Sequence, residues 1–326
     1  EQIIEHGNGA TVLEDPTREG YTFMDWDVAF DNVTSDLIVT AQWEINQYTI
    51  TFDCAGGSAV ASISQDYGTA VTAPADPTKE GYTFTGWSPA VPATMPAGDL
   101  TLIAQWTINS YTVTVISING DVEGAGAYDF GSEVTLTATA ATDYELFNWV
   151  DEEGNEVSTD NPYTFTMVNR NLTLTANFVK TEAAVLADVD TRINNTLADL
   201  ILDNTGITEV AYENRTATFL INDPDTNISA FAESGILDLF QQMFTDVINA
   251  DIYIGAEQVG TIVNPAQMSD SELKGAILNQ LIIPLVGDNP TMTLKDLVGK
   301  SASAELTISA GLVNYKATYT VEFVAE

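Results

Sequence analysis

The sequence predicts a multidomain, mainly β protein in which repeated modules precede an α+β domain. Residues 37–43 recur with small changes at 100–106 and again at 172–178. In each copy large apolar residues, an alanine and a final aromatic residue occupy alternate positions, which is the period of a half-buried strand. Repetition of this kind is typical of modules in series. After about residue 181 the apolar spacing becomes helical, which indicates a separate domain.

The first two copies also match upstream of this closing strand, because residues 15–23 reappear at 76–84 with one basic residue exchanged for another. In the second copy Asp76 is a good N-cap, Pro77 suits the first helical position and Gly81 can adopt the left-handed conformation. The block therefore predicts a short helical turn that leads into a strand.

A hairpin is predicted ahead of that block. Residues 48–52 alternate in polarity, and Gly56-Gly57 can supply the positive φ angles of a tight turn. Four tryptophans recur at matched positions with the phase of a module core, which we favour over a role as sugar-binding platforms: Trp26, Trp43, Trp87 and Trp106.

The third copy is divergent. Residues 109–115 match 46–52, and Trp149 takes the place of Trp87, but the predicted helical turn is missing. Residues 151–155 are predicted to form an exposed hairpin tip.

These motifs resemble the Listeria–Bacteroides repeat, also called the internalin B-repeat. The resemblance rests on an opening Tyr-Thr-Ile-Thr-Phe-Asp-x-x-Gly-Gly, a centre Asp-Pro-Thr-Lys-Glu-Gly-Tyr-Thr-Phe-x-Gly-Trp and an ending Ala-Gln-Trp. It implies small β-grasp-like modules, found in tandem on secreted and surface-anchored bacterial proteins, and it implies no catalytic residues. We expect a partial module at 1–45, a full module at 46–108, a divergent module at 109–180, and an α+β domain of unknown family at 181–326.

Composition fits an extracellular location. Ten basic and 47 acidic residues give a net charge of −37, which would repel nucleic acid and anionic membrane surfaces. No stretch approaches the length of a membrane span, so we expect no membrane insertion. The chain starts within a repeat, which predicts that it is a fragment of a longer protein.

The residue types of nucleophilic and metal chemistry are scarce. The single cysteine, Cys54, lies beside a predicted turn, and it is interpreted as a turn residue rather than a nucleophile. The single histidine, His6, aligns with Tyr67 and Phe130 and is expected to pack on a module surface. A single histidine excludes histidine-rich zinc sites, and histidine-dependent catalysis would need His6 to reach across modules, so we expect neither.

The elements of the last domain follow from its periodicity. Ser269 and Glu272 form a capping box that opens a helix expected to reach Pro284. The other predicted elements are a helix over 185–201, strands over 207–212 and 216–221, a helix over 236–248, a short helix over 293–298, and closing strands over 302–308 and 315–323.

No site is assigned in this domain. Two segments with alternating carboxylates are weak calcium candidates: Asp223, Asp225 and Asn227 in one, and Asp188 and Asp190 in the other. Neither segment continues into the glycine and final glutamate of an EF-hand, and a solvated acidic surface is the favoured interpretation. Asp223, Asp225 and Glu233 would in principle serve a two-carboxylate glycosidase, but their spacing singles out no pair. We expect no catalytic, cofactor-binding or metal residues and no cofactor.

The expected function is that of a non-catalytic bacterial cell-surface or secreted protein with an adhesion, interaction or display role. Its partner would be an extracellular protein or a glycan. The alternative is an extracellular carbohydrate-active enzyme, or an accessory fragment of one, with the repeats as stalk modules. The lack of histidine, cysteine and tryptophan in residues 181–326 favours the first.

Overall fold

The computed structural model describes residues 1–11, 14–198, 206–228, 236–287 and 291–326. These residues form two compact units, and the boundary between the units runs through the third module. The first unit is Glu1–Thr114, Ala125–Thr135 and Thr164–Leu172. The second unit is Val115–Gly124, Leu136–Tyr163 and Thr173–Glu326.

The first module contributes one antiparallel pair of strands, β1 (Tyr21–Trp26) and β2 (Ala41–Ile45). Phe23 lies opposite Trp43, and the register shifts just after Phe23. The rings of Phe23 and Trp43 meet edge to face, with their centroids 5.7 Å apart. The closing strand predicted at 37–43 is therefore regular only from Ala41 onward.

The second module is a four-stranded sheet of β3 (Gln47–Asp53), β4 (Ile63–Asp66), β5 (Tyr82–Ser88) and β6 (Leu100–Ile108). Its order is β4-β3-β6-β5, and the first and last strands lie parallel at its centre, as expected of a β-grasp-like module. Ile50, Phe52 and Leu102 alternate along β3 and β6 and build the core together with Met95, which lies in the loop between β5 and β6.

The helical turn predicted at the start of the 76–84 block is wrong. The backbone of Thr78 instead pairs with Ser58: the Ser58 N–H donates to the Thr78 carbonyl at 2.8 Å, and the Thr78 N–H donates to Ser58 Oγ at 2.9 Å. These bonds hold the segment extended, so the N-cap signal of Asp76 has no helix to cap. Gly81 does adopt φ +73°, but it does so in a β-turn that the Tyr82 N–H closes on the Lys79 carbonyl.

The third module contains eight strands. In the first unit, Tyr111 of β7 pairs with Tyr128 of β9. In the second unit, β10 pairs with β8, and β11 pairs with β12 and β14. The predicted hairpin tip at 151–155 joins β11 to β12 and is largely exposed. The strands are β7 (Ser110–Ser117), β8 (Gly120–Glu123), β9 (Gly126–Asp129), β10 (Glu133–Ala140), β11 (Tyr144–Val150), β12 (Glu156–Ser158), β13 (Tyr163–Thr166) and β14 (Leu172–Lys180).

The α+β domain is built on a six-stranded sheet of order β15-β16-β20-β19-β17-β18. The strands are β15 (Ile207–Glu213), β16 (Thr216–Ile221), β17 (Val247–Ile254), β18 (Glu257–Val263), β19 (Ser301–Ala310) and β20 (Val313–Ala325). The helices are α1 (Glu182–Ala198), α2 (Ile236–Phe244) and α3 (Asp270–Ile277), followed by a π turn (Leu278–Ile282), α4 (Ile283–Val286) and a 3₁₀ turn (Leu294–Asp296). Alternate sheet residues such as Phe219, Leu306 and Phe323 are buried in one core.

Two helix predictions in this domain need correction. The helix predicted over 236–248 ends at Phe244, because Asp246 adopts φ +65° and Val247 starts β17. The β-branched and apolar residues that follow suit a buried strand, and β17 and β18 were not predicted. The helix predicted over 293–298 is only a 3₁₀ turn.

The capping box of Ser269 and Glu272 is confirmed, and the Ser269 N–H donates to the Glu272 carboxylate at 2.9 Å. The helix that it opens continues past Ile277 as a π turn and reaches Val286 through Pro284. Pro284 has no N–H to bond to the residue four positions earlier, which accounts for the wider turn just before it. None of the helices described has both the length and the apolarity that a membrane crossing requires.

Candidate functional site

The connection between the first and second modules is a network centred on Asn46. Its N–H donates to the Gly20 carbonyl at 2.9 Å, and its own carbonyl accepts from the Tyr67 N–H at 2.9 Å. Its side-chain oxygen accepts from Thr22 Oγ1 at 2.6 Å, and its side-chain amide donates to the Tyr48 hydroxyl at 3.3 Å. Asn46 is thus hydrogen-bonded to residues of both modules.

Asn109 repeats this network after the second module. Its N–H donates to the Gly81 carbonyl at 2.9 Å, and its carbonyl accepts from the Phe130 N–H at 2.8 Å. Its side chain accepts from Thr83 Oγ1 at 2.6 Å and donates to the Tyr111 hydroxyl at 3.4 Å. We call these two networks the module joints, and their distances agree within 0.1 Å.

A glycine is required in each module joint for two reasons. Gly20 and Gly81 have φ of +75° and +73°, where a side chain is strained. A Cβ atom would also lie 2.0 Å from the Tyr67 ring at Gly20 and 1.9 Å from the Phe130 ring at Gly81. An aromatic residue of the next module thus packs directly on the backbone of the module before it.

A related arrangement ends the third module. Asp143 occupies the position of Gly81 with φ +69°, and its carbonyl accepts from the Thr181 N–H at 2.8 Å. The Tyr315 hydroxyl of β20 donates to the Lys180 carbonyl at 2.6 Å. The third module and the α+β domain are therefore hydrogen-bonded where the chain passes from β14 into α1.

The repeat tryptophans contribute to packing within their modules. The Trp106 indole N–H donates to the Cys54 carbonyl at 3.1 Å, and a Cβ atom at Gly57 would lie 2.5 Å from the Trp106 ring. Trp87 packs against Phe52 and Phe84 with centroid distances of 4.8 and 5.4 Å. Both tryptophans are half-buried rather than fully buried, whereas Trp149 is fully buried.

The Gly56-Gly57 turn also differs from the prediction. The residues with positive φ are Ala55 and Gly56, so Gly57 is required by the close Trp106 ring and not by its backbone angle. The Cys54 carbonyl accepts from the Gly57 N–H at 2.9 Å as well as from Trp106. The turn forms part of a long loop between β3 and β4 instead of a tight hairpin.

His6 is exposed and lines an open concavity of about 550 Å³ in the first module, together with Ile3, Phe30 and Val39. The Gly7 N–H donates to the Val33 carbonyl, as the Gly68 N–H donates to the Met95 carbonyl, which confirms that His6 aligns with Tyr67.

The calcium candidates at 223–227 lie on an exposed turn. The Asp223 carboxylate accepts from Thr226 Oγ1 at 3.0 Å and from the Asp225 N–H at 3.3 Å, so it caps its own turn. Asn227 forms a β-bridge with Thr293. Glu233 lies outside the described residues. Within the described part of the chain, no three His, Cys, Asp or Glu side chains are grouped closely enough to hold a metal ion.

A polar cluster in the α+β domain was not predicted. Asp190 of α1 accepts a hydrogen bond from the Tyr212 hydroxyl at 2.6 Å and lies 3.6 Å from Nε of Arg215. The Arg215 guanidinium is 6.0 Å from the ring centroid of Tyr319. Burial raises the pKa of the Tyr319 hydroxyl to about 12, and the Asp190 charge adds to the rise. Burial, followed by the hydrogen bond to Asp190, likewise raises the pKa of Tyr212.

The sequence signals for these features differ. Asn46 and Asn109 stand at matched repeat positions, each two residues before a tyrosine, so the repeat itself marks them as joint residues. The polar cluster carries no comparable signal, because Asp190 and Tyr212 are 22 residues apart and no motif links the two.

Comparison with known proteins matches residues 1–41 and 48–105 to the Listeria-Bacteroides repeat domain. Residues 111–182 match the divergent InlB B-repeat domain. Repeats of this kind are typical of bacterial surface proteins such as internalins.

Individual relatives share parts of the chain. A putative membrane protein of Evansella cellulosilytica is 30% identical over 204 residues, which is 55% of this chain and 31% of that protein. Internalin H of Listeria monocytogenes is 40% identical over 114 residues, which is 29% of this chain and 20% of that protein. The chain thus spans a third or less of the length of these relatives.

Among solved structures, the Bacillus anthracis TIE protein aligns with 90% of this chain and 54% of its own, with 10% identity and a TM-score of 0.22. A TM-score of that size does not indicate a shared fold.

Proposed function

This chain belongs to the Listeria-Bacteroides repeat family, which residues 1–182 represent, and on that premise we propose that it is a non-catalytic display and adhesion protein of a bacterial surface. The repeats serve as a stalk of defined geometry. The α+β domain, with or without the third module, contacts an extracellular protein or glycan.

The observation that carries this proposal is the repeated module joint. Two joints built from the same residue types, with the same donors and acceptors, give successive modules a fixed relation instead of a flexible linker. A buried glycine under an aromatic ring and an asparagine with four hydrogen bonds constrain the connection at both backbone and side-chain level. Such joints suit repeats that are presented in a defined arrangement at a cell surface.

The state of the polar groups in the described part of the α+β domain supports a binding role. In the described part of the α+β domain the polar cluster of Asp190, Tyr212 and Arg215 contains a carboxylate already engaged by two partners. Neither tyrosine is poised as a base at physiological pH, because burial raises the pKa of each phenol. The residues 181–326 contain no histidine or cysteine.

The test is a paired assay on the purified 326-residue chain. The immobilised protein is exposed to extracellular-matrix proteins and to a glycan array, and the same preparation is incubated with peptide, ester and glycoside substrates. We expect saturable binding of at least one surface and no turnover. Hydrolysis of a glycan that a single Asp or Glu substitution abolishes would establish the enzyme alternative instead.

A further inference from the structure

The opening and closing strands of the second module are neighbours that run in the same direction. β3 and β6 pair in parallel from Ile50 with Leu100 to Asp53 with Ile103, which makes four residue pairs. We call the backbone hydrogen bonds of these pairs the β3–β6 ladder; in a parallel pair such bonds are evenly spaced along the strands. Ile50 and Leu102 are both 0% exposed, so the core shields one face of the ladder from water.

A side-chain hydrogen bond lies at each end of the β3–β6 ladder. Before it, the Thr49 N–H donates to Asp99 Oδ1 at 2.8 Å. After it, the Trp106 indole N–H donates to the Cys54 carbonyl at 3.1 Å. Asp99 directly precedes β6, and Cys54 directly follows β3. The two side chains therefore join the chain of β3 to the chain of β6 beyond the ladder itself.

The third module repeats the first of these bonds. The Thr112 N–H donates to Asn171 Oδ1, again at 2.8 Å. Asn171 directly precedes β14 as Asp99 directly precedes β6, and Thr112 lies on β7, the opening strand of its module. The acceptor is a carboxylate in one module and an amide in the other. The recurring requirement is thus a side-chain oxygen at this position, whatever its charge.

The chain enters and leaves the second module at the two module joints. Asn46 directly precedes β3, and Asn109 directly follows β6. A pulling force carried along the chain therefore acts on the N-terminal end of β3 and on the C-terminal end of β6. Because the strands are parallel, this force slides them past each other and stretches every hydrogen bond of the ladder at once. A force applied to the same end of both strands would open the bonds one after another.

We propose that the second module is a mechanical clamp, in which the β3–β6 ladder and its two flanking side-chain bonds keep the module folded under tension along the chain. A hydrogen bond weakens steeply when it is stretched or bent. Bonds that share a load must fail together, which requires a larger force than breaking them in turn. This inference goes beyond the proposed function, because the clamp resists a load whether or not the α+β domain binds a ligand.

The experiment is single-molecule force spectroscopy on the complete chain, pulled in two directions. Cys54→Ser removes the natural thiol in both preparations and leaves the backbone carbonyl that Trp106 uses. In the first preparation the handles are attached to the two termini, so the β3–β6 ladder is sheared. In the second, one handle is at the N-terminus and the other at Gly98→Cys, where a side chain meets open space. Residue 98 and Asn46 lie at the same end of the parallel pair, so this direction peels the ladder.

Unfolding of the second module is recognised by the length that it releases. Residues 46–108 extend to about 210 Å in the terminal pull, and residues 46–98 to about 180 Å in the peeling pull. We expect the terminal pull to need about twice the force or more at the same loading rate, because four residue pairs share the load. Equal forces, or a larger force in the peeling pull, would overturn the clamp.

Variants of the flanking bond test the residues. Asp99→Ala removes the acceptor of the Thr49 N–H, and we expect the lifetime of the second module under constant terminal force to fall by about tenfold. Asp99→Asn keeps a side-chain oxygen, as Asn171 does, and should restore the lifetime. Asp76→Ala is the matched control, because it removes the same charge from an exposed position of the same module. An unchanged lifetime in Asp99→Ala, or an equal loss in Asp76→Ala, would overturn the role of this bond.

Failure of this inference is distinguishable from failure of the proposed function. If the chain binds a surface but the two pulling directions need equal force, the adhesion role stands and the clamp is wrong. If the terminal pull needs the larger force but the chain binds no surface, the clamp stands and the adhesion role is wrong.

Discussion

At the scale of single residues, each module joint requires a glycine, because a Cβ atom at residue 20 or residue 81 would overlap an aromatic ring. The ring of Phe130 lies where a Cβ atom of residue 81 would be, and the ring of Tyr67 does the same at residue 20. Asp143 shows the converse: at the end of the third module the same backbone angle is adopted by a residue with a side chain. Aspartate tolerates the left-handed region better than most residues do.

Gly81→Ala should destabilise the second module and its joint. The left-handed backbone alone costs an L-residue about 1–2 kcal/mol, and the new Cβ atom would force Phe130 to move. The measurement is thermal unfolding of the full chain, followed by tryptophan fluorescence. Gly98→Ala is the matched control, because a Cβ atom there meets open space. Equal unfolding temperatures for the two variants would contradict the joint.

The buried phenols predict a loss of stability at alkaline pH. The pKa of Tyr319 is raised to about 12, so its stabilising contribution is complete below the unfolded pKa near ~10 and is lost as the pH rises toward 12. We expect absorbance at 295 nm to show delayed ionisation together with loss of secondary structure in that interval. Tyr319→Phe should reduce this loss, and an unaltered alkaline profile in the variant would refute the assignment.

At the scale of elements, the closing strands of the second and third modules end in an aromatic residue that lies on a glycine, Trp106 on Gly57 and Phe178 on Gly120. Trp106 at the end of β6 lies on Gly57 and donates to the Cys54 carbonyl, so the last strand of the module fixes the loop after its first strand. Those residues are about fifty positions apart in sequence, and the contact closes the module on itself.

Trp106→Ala should therefore cost about 3 kcal/mol of stability in the second module, at the low end for a large aromatic residue because the side chain is half-exposed. Trp106→Phe separates the two contributions, since it keeps a ring over Gly57 but loses the hydrogen bond. We expect it to cost about 1 kcal/mol. Chemical denaturation monitored by circular dichroism gives both values, and equal losses would mean that ring packing is unimportant.

At the scale of the whole molecule, acidic residues outnumber basic ones by 47 to 10. Like charges spread over a folded surface repel one another, and this repulsion opposes the compact state. Ion pairs such as Lys180 with Asp188 and Lys316 with Glu305 lie on the surface. Surface pairs of that kind contribute little.

Salt should therefore stabilise the protein. Raising the ionic strength from about 0.01 M to about 0.15 M shortens the Debye length from roughly 30 Å to roughly 8 Å, which screens the repulsion. We expect a higher unfolding temperature by scanning calorimetry at neutral pH. Near the sequence pI of 4.1 the net charge vanishes and the increase should disappear. A lower unfolding temperature in salt at neutral pH would show that specific ion pairs dominate.

The sequence by itself determined the repeats, most strands of the modules, the Ser269 capping box and the first helix of the α+β domain. The sequence signal for each of these comes from residues that are close together in the chain. It is either alternation over a few positions or a cap and its partner three residues later. The repeat also places Asn46 and Asn109 at equivalent positions, so the location of the joints is visible before their geometry is known.

Only the tertiary structure decided the rest. Two hydrogen bonds between Ser58 and the backbone of Thr78 prevent the helical turn that Asp76 and Pro77 favour locally. The stretch from Val247 becomes a strand because β19 lies beside it and supplies hydrogen-bond partners that no local pattern reveals. Asp190 and Arg215 meet for the same reason, since a helix and a hairpin must first pack. Local preferences are small, and contacts between distant segments outweigh them.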